Sequence, residues 1–159
     1  MTFNHFDDQG QAIMVDVSGK QKTLRTAVAQ ARVLLKPETL AAILEGSMTK
    51  GDVLGVARLA GIAAAKKTSD LIPLSHPLAI HHVAIAFQAD QKSGEIRIEA
   101  TVRAFERTGV EMEAMTSASV AALTVYDMCK GTDKSIVIGE ISLLYKEGGK
   151  SGVYRREES

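Results

Sequence analysis

Tryptophan is absent from these 159 residues, and aromatics amount to only 4% of them. A core without large rings has to be built from Ala, Val, Ile and Leu, which requires its elements to approach closely. Cysteine occurs once, as Cys129, which excludes an internal disulfide and fits a reducing compartment. No apolar run is long enough to cross a bilayer. Neither charge sign is in excess, with 19 Lys and Arg against 19 Asp and Glu. That balance excludes a broad basic surface for nucleic acid or anionic membrane but leaves room for a local basic pocket. The start, MTFNHFDDQG, lacks the basic-then-apolar pattern of a secretory signal, so a cytoplasmic protein is expected. No Cys/His cluster has zinc spacing.

What is present reads as one domain over residues 1–159, with a mobile N-terminal arm (1–12) and a Gly-rich, charged C-terminal tail (147–159). Met14–Val17 is a candidate short strand. In Thr23–Leu35 the alanines favour a helix by propensity, but the alternation of Ala27, Ala29, Ala31, Val33 and Leu35 with more polar neighbours predicts a strand. Pro37 and Gly46 bracket a short helix. Thr49 with Asp52 predicts a capping box for a second helix, with Val53, Val56, Ala57, Ala60, Ala63 and Ala64 as its apolar stripe. Leu71–Leu78 is a loop stiffened by Pro73 and Pro77. Alternating residues on either side of Asp90–Gly94 predict a hairpin. A third helix runs from Thr108, boxed by Glu111, to Lys130, and Ile136–Lys146 is a last strand. This order predicts an α+β, ferredoxin-like split βαβ domain: a four-stranded antiparallel sheet with helices on one face.

Several residues could carry chemistry. Asp127 and Lys130 share a helix face and on spacing alone read as a surface ion pair. A carboxylate in a helix's last turn opposes the dipole, which predicts a raised pKa suited to acid/base work. Glu111 is explained by capping; Glu113 has no such explanation, but acids are common in a first turn, so both read as structural by default. Lys50 lies near a helix start, where it reads either as a solvated lysine or as half of a phosphate site. His76, held between Ser75 and Pro77, is poised either for a ligand or for the backbone. His81 and His82 point to opposite faces of a strand and cannot chelate together. Cys129 reads as core. The tail GGKSG is not a P-loop, since no helix follows it.

Four segments together resemble the MoaC family of cyclic pyranopterin monophosphate synthases: MVDVSGK (14–20), KGDVLGVARLAGIAAAKKTSDLIPLSHPL (50–78), TGVEMEAMTSASVAALTVYDMCK (108–130) and GGKSG (148–152). The second and third are long and specific. The resemblance implies a phosphorus–oxygen lyase of molybdenum-cofactor biosynthesis. Its substrate would be 3′,8-cyclo-7,8-dihydroguanosine 5′-triphosphate and its products a pterin with a cyclic phosphate and pyrophosphate. It implies catalytic roles for Asp127, Lys130 and Lys50. It implies substrate binding by Leu74, Ser75, His76, Glu111, Met112 and Glu113, and triphosphate contacts from Arg25, Lys66, Lys67 and Lys146. It also implies a homohexamer, a trimer of dimers. Ser75 departs from the cysteine frequent in the family, which leaves no thiol role there. No tightly bound cofactor is implied, and Mg²⁺ would enter only with the triphosphate. On one helix Glu113 and Asp127 would stand roughly 21 Å apart, which points to sites shared between subunits. The rival expectations are a non-catalytic ligand-binding oligomer and a different phosphate-ester enzyme on the same scaffold.

Overall fold

A computed structural model describes residues 4–158. The elements in order are β1 (Thr23–Leu34), α1 (Pro37–Glu45), α2 (Val53–Ala65), α3 (Thr68–Leu71), β2 (His82–Asp90), β3 (Glu95–Glu106), α4 (Glu111–Cys129), β4 (Val137–Glu147) and β5 (Tyr154–Arg155). The sheet order is β2-β3-β1-β4-β5, with every pairing antiparallel. The first four strands have the expected ferredoxin-like arrangement. The fifth is an addition: two residues of the expected tail pair with Tyr145 and Lys146 on the edge of β4.

β1 resolves the conflict between alanine propensity and alternation in favour of alternation. Ala27, Ala29, Ala31 and Val33 are fully buried on the face that meets the helices. On β3 the same face carries Ile96, Ile98, Ala100, Val102 and Ala104, also fully buried. Onto this floor settle Ala114, Ala118, Ala121, Ala122 and Val125 of α4, each with no exposed surface. Small side chains on both surfaces let helix and sheet approach closely, and dispersion between many short side chains replaces the missing aromatic contacts. Methionine and leucine lie at the outer side of α4, where Met112 and Leu123 are exposed.

Several local expectations are corrected. Met14–Val17 is not a strand; the pairing in that region is a single bridge between Phe6 and Ala12. Of the N-terminal arm, residues 1–3 lie outside the described residues, and residues 4–12 turn back on themselves through that bridge. α2 is capped by Asp52 itself, which accepts from the Gly55 N–H (2.9 Å), so the helix begins after Asp52 rather than after Thr49. Its buried side consists of Val53, Ala57, Gly61, Ala64 and Ala65. Val56 and Ala63 face outward, because Gly61, absent from the expected stripe, is where α4 comes closest: a Cβ there would overlap the tip of Ile85 and crowd the Ser117 carbonyl. α4 begins at Glu111, its N-cap is Val110, and no side chain caps it, so the Thr108–Glu111 box does not form.

The β2–β3 turn depends on one glycine. Gly94 has φ +68°, its carbonyl accepts from the Leu35 N–H (2.7 Å), and a Cβ on it would overlap the Leu35 carbonyl oxygen. Both the backbone conformation and the close approach require glycine. Gly94→Ala is expected to lower the unfolding free energy by roughly 1–3 kcal/mol in urea denaturation; an unchanged midpoint contradicts this.

Candidate functional site

The expected site residues gather mainly at the two ends of α4. At its N-terminal end lies a cleft of about 390 Å³. Leu74, Ser75 and His76 line it from the stiff loop, and Glu111, Met112 and Glu113 from the first turn of the helix. Lys146 joins this group through register. It pairs across the sheet with Ala27 and so points to the helix face, where its Nζ lies 2.7 Å from Glu111 Oε1. The Glu111 carboxylate folds back over Gly109, where a Cβ would collide with it.

His76 donates from Nε2 to the Val15 carbonyl (2.6 Å). A carbonyl only accepts, so this bond puts a proton on Nε2. Arg25 is held from behind, donating to the Glu106 carbonyl (3.3 Å) and the Arg107 carbonyl (3.1 Å). The chain passes over its guanidinium at Gly149, where any side chain would overlap it. Lys66 and Lys67 are exposed at the end of α2 and do not line the cleft; Lys67 faces Asp70 at 3.9 Å.

The cleft also contains residues absent from the expectations. Asn4, His5, Val15, Val17 and Lys20 line it, because the N-terminal segment folds across its mouth. Arg107 fastens that segment by donating to the Lys20 carbonyl (3.1 Å). The signal for Lys20 lay in the MVDVSGK segment. For Asn4 and His5, sequence patterning offers none.

At the C-terminal end of α4, Lys130 Nζ lies 2.6 Å from Asp127 Oδ1, and both side chains are more than half exposed. Lys50 Nζ donates to the Asp127 backbone carbonyl (3.0 Å), so the lysine is drawn to the negative end of the helix. At the helix start beside Lys50, the Asp52 carboxylate takes one of the N–H groups, that of Gly55. The expected rise of the Asp127 pKa is overturned. The Lys130 hydrogen bond, then the Lys130 and Lys50 charges, hold Asp127 below the ordinary carboxylate range, and Asp127 in turn raises Lys130. Lys130 in contact with the carboxylate, with Lys50 held at the backbone carbonyl of the same residue, outweighs half a unit of dipole charge. Cys129 is buried, and burial with the nearby Asp133 charge pushes its thiol up to about 11, so it is unreactive.

Glu113 behaves in the opposite way. It is 3% exposed, and its Oε2 has no hydrogen-bond partner within the protein. Burial, with a smaller contribution from the Glu111 charge, raises its carboxyl to about 7 against a small lowering by its own backbone. Among the described residues no group of three His, Cys, Asp or Glu is arranged to hold a metal. A larger hollow of about 670 Å³ on the open face of the sheet, lined by Arg32, Arg97, Glu140 and Arg156 among others, contains none of the expected site residues.

The raised Glu113 pKa has a stability consequence. Between 4.5 and about 7 the native state binds the proton and the unfolded chain does not, so this group's contribution falls as pH rises through that window. Glu113→Gln has no charge to bury. It is expected to raise the unfolding free energy at pH 8 by up to about 3 kcal/mol, with the gain vanishing below about pH 4. A pH-independent difference between the two proteins in urea denaturation contradicts the assignment.

Comparison with known proteins agrees along nearly the whole chain. The MoaC family pattern matches residues 14–149. A cyclic pyranopterin monophosphate synthase from Geotalea uraniireducens is 80% identical over 158 residues, covering 99% of both chains. One from Geobacter sulfurreducens is 75% identical over 158 residues with the same coverage. One from Heliobacterium modesticaldum is 56% identical over 154 residues, 97% of each chain. By that match, and with an antiparallel α+β fold in which the 50–78 segment meets both ends of the helix within 108–130, the chain belongs to the MoaC family.

Proposed function

We propose that this chain is a cyclic pyranopterin monophosphate synthase of molybdenum-cofactor biosynthesis, a phosphorus–oxygen lyase acting in the cytoplasm. The carrying observation is the division of α4 into two chemically different ends within a chain so similar to synthases of that name. The Asp127 end carries an ionised carboxylate against a protonated lysine, with a second lysine alongside. The Glu113 end is an open cleft with carboxylates and an imidazole, suited to a flat ring with N–H donors.

The substrate is then 3′,8-cyclo-7,8-dihydroguanosine 5′-triphosphate. Asp127, already deprotonated, acts as base, and Lys130 as its partner and proton donor. Closing a cyclic phosphate requires a sugar hydroxyl to lose its proton as it attacks the α-phosphorus and pyrophosphate departs. Lys50 neutralises the growing negative charge, with Arg25, Lys66, Lys67 and Lys146 as further triphosphate contacts. Mg²⁺ accompanies the triphosphate as counter-ion when present. Leu74, Ser75, His76, Glu111, Met112 and Glu113 hold the ring. The Lys146–Glu111 pair gives both residues a partner before substrate arrives.

Because Glu113 and Asp127 are roughly 21 Å apart along one helix, the complete site is composite. Each ring cleft is finished by the Asp127 end of another copy, within a hexameric trimer of dimers. The exposed Leu123 on the outer side of α4 suits burial by such a neighbour.

Pure protein incubated with the cyclised dihydro-GTP intermediate is expected to release pyrophosphate and a pterin. Binding without turnover favours a regulatory oligomer, and turnover only of other nucleotides favours a different phosphate-ester enzyme. Asp127→Asn is expected to lower kcat by roughly 10²–10⁴-fold with an unchanged circular dichroism spectrum. Near-normal turnover in that folded variant removes Asp127 from the chemistry.

A further inference from the structure

Asp133 is 1% exposed, is absent from every role assigned above, and has no cation within ion-pair distance among the described residues. A buried carboxylate without a counter-ion is costly unless donors surround it. Here four do. Oδ2 accepts from the Lys36 N–H (3.0 Å) and the Thr39 hydroxyl (3.1 Å), and Oδ1 accepts from the Ser135 N–H (2.9 Å) and hydroxyl (2.6 Å). Burial pushes the carboxyl up, but the four hydrogen bonds outweigh it and bring it to about 2. It therefore stays charged at any pH where the enzyme works.

Its place in the chain gives those bonds a further meaning. The Thr132 and Asp133 N–H groups both donate to the Cys129 carbonyl (2.9 Å each), so the backbone of Asp133 is fastened to the end of α4. Its side chain is fastened to the start of α1, whose N-cap residue Lys36 offers no side-chain cap of its own. α1 leads through Gly46–Thr49 to Lys50, and Lys50 Nζ reaches back to the Asp127 carbonyl. The contacts close a ring: Asp133, α1, Lys50, Asp127, the last turn of α4, and Asp133 again. An amide cannot replace the carboxylate, because its NH₂ would confront donors where Oδ1 or Oδ2 accepts.

We infer that Asp133 is a positioning residue for the Lys50–Asp127–Lys130 cluster, setting where α1, and hence Lys50, stands against the end of α4. This rests on the reading of that cluster as catalytic. It acts through α1 and touches no substrate. Loss of the bond to α1 lets Lys50 draw away from Asp127. The charged groups set against Asp127 are Lys130 on its own helix and Lys50 from the α1–α2 connection. Withdrawal of Lys50 leaves Lys130 alone to hold the carboxylate ionised.

The test uses the full-length oligomer with its triphosphate substrate. Thr39→Val keeps the shape of the side chain and removes one donor linking Asp133 to α1. It is expected to lower kcat by roughly tenfold, as sub-ångström to ångström displacements do, with KM within about twofold. The acidic limb of the kcat–pH profile is expected to move to higher pH. Asp133→Asn is expected to do the same more strongly. Ser135→Ala, which loosens the carboxylate only from its own loop, is expected to keep kcat within about twofold of the wild type. Should Asp133→Asn not fold, Thr39→Val decides alone. A folded Thr39→Val protein with wild-type kcat and an unmoved pH profile overturns the inference, whatever its melting temperature. Wild-type turnover in Asp127→Asn instead sinks the catalytic reading of the cluster, and the inference with it.

Discussion

Everything functional in this molecule depends on the seating of α4 on the sheet. Alanines on β1, β3 and the helix meet with no exposed surface between them, and contact at that range leaves the helix little room to shift or rotate. The consequence is a rigid rod with a chemical group at each end. The cleft forms where the first turn of α4 meets the Leu74–His76 loop, and the Lys–Asp–Lys cluster where its last turn meets Lys50. The scarcity of aromatics, at first sight only a compositional fact, is what permits the close approach.

The two ends also divide the electrostatics. Glu113 and Asp127 lie on one helix, yet burial raises the first to about 7 while two lysines hold the second below the usual range. Environments that push like groups apart in pKa give them different tasks. The buried carboxyl is held near neutrality and the exposed one is held ionised, which is the state the proposed base at Asp127 requires. A third carboxylate, Asp133, stays ionised by hydrogen bonding alone and joins the end of α4 to the start of α1.

The strand order was legible because alternation in β1, β2 and β3 is strong, and because tertiary burial overrides the helix preference of alanine. Pro37 and Gly46 marked α1, since each has a local conformational reason. The caps were less legible: Thr49 and Thr108 have the right spacing to Asp52 and Glu111, but Asp52 serves as the cap itself and Glu111 pairs with Lys146 from β4. β5 was missed because two residues carry no period. The site residues were legible chiefly through likeness to a family, as spacing alone left Asp127 an ordinary ion pair. The direction of its pKa was misread because the dipole was weighed above the Lys130 contact, which lowers the carboxyl most, with Lys50, whose approach is not visible in sequence, adding to it. Asn4, His5 and Asp133 were missed for the same reason, since only the folded chain brings them to their partners.

The central claim is that the two ends of α4 serve one reaction in different subunits. Mixed oligomers test it most directly. Glu113→Ala and Asp127→Ala proteins, each inactive alone, are combined under conditions that exchange subunits, with exchange verified by mass. A composite site predicts recovered turnover, because some sites pair an intact Glu113 end with an intact Asp127 end from another copy. No recovery in verified mixed oligomers contradicts it and places both ends' work within a single chain.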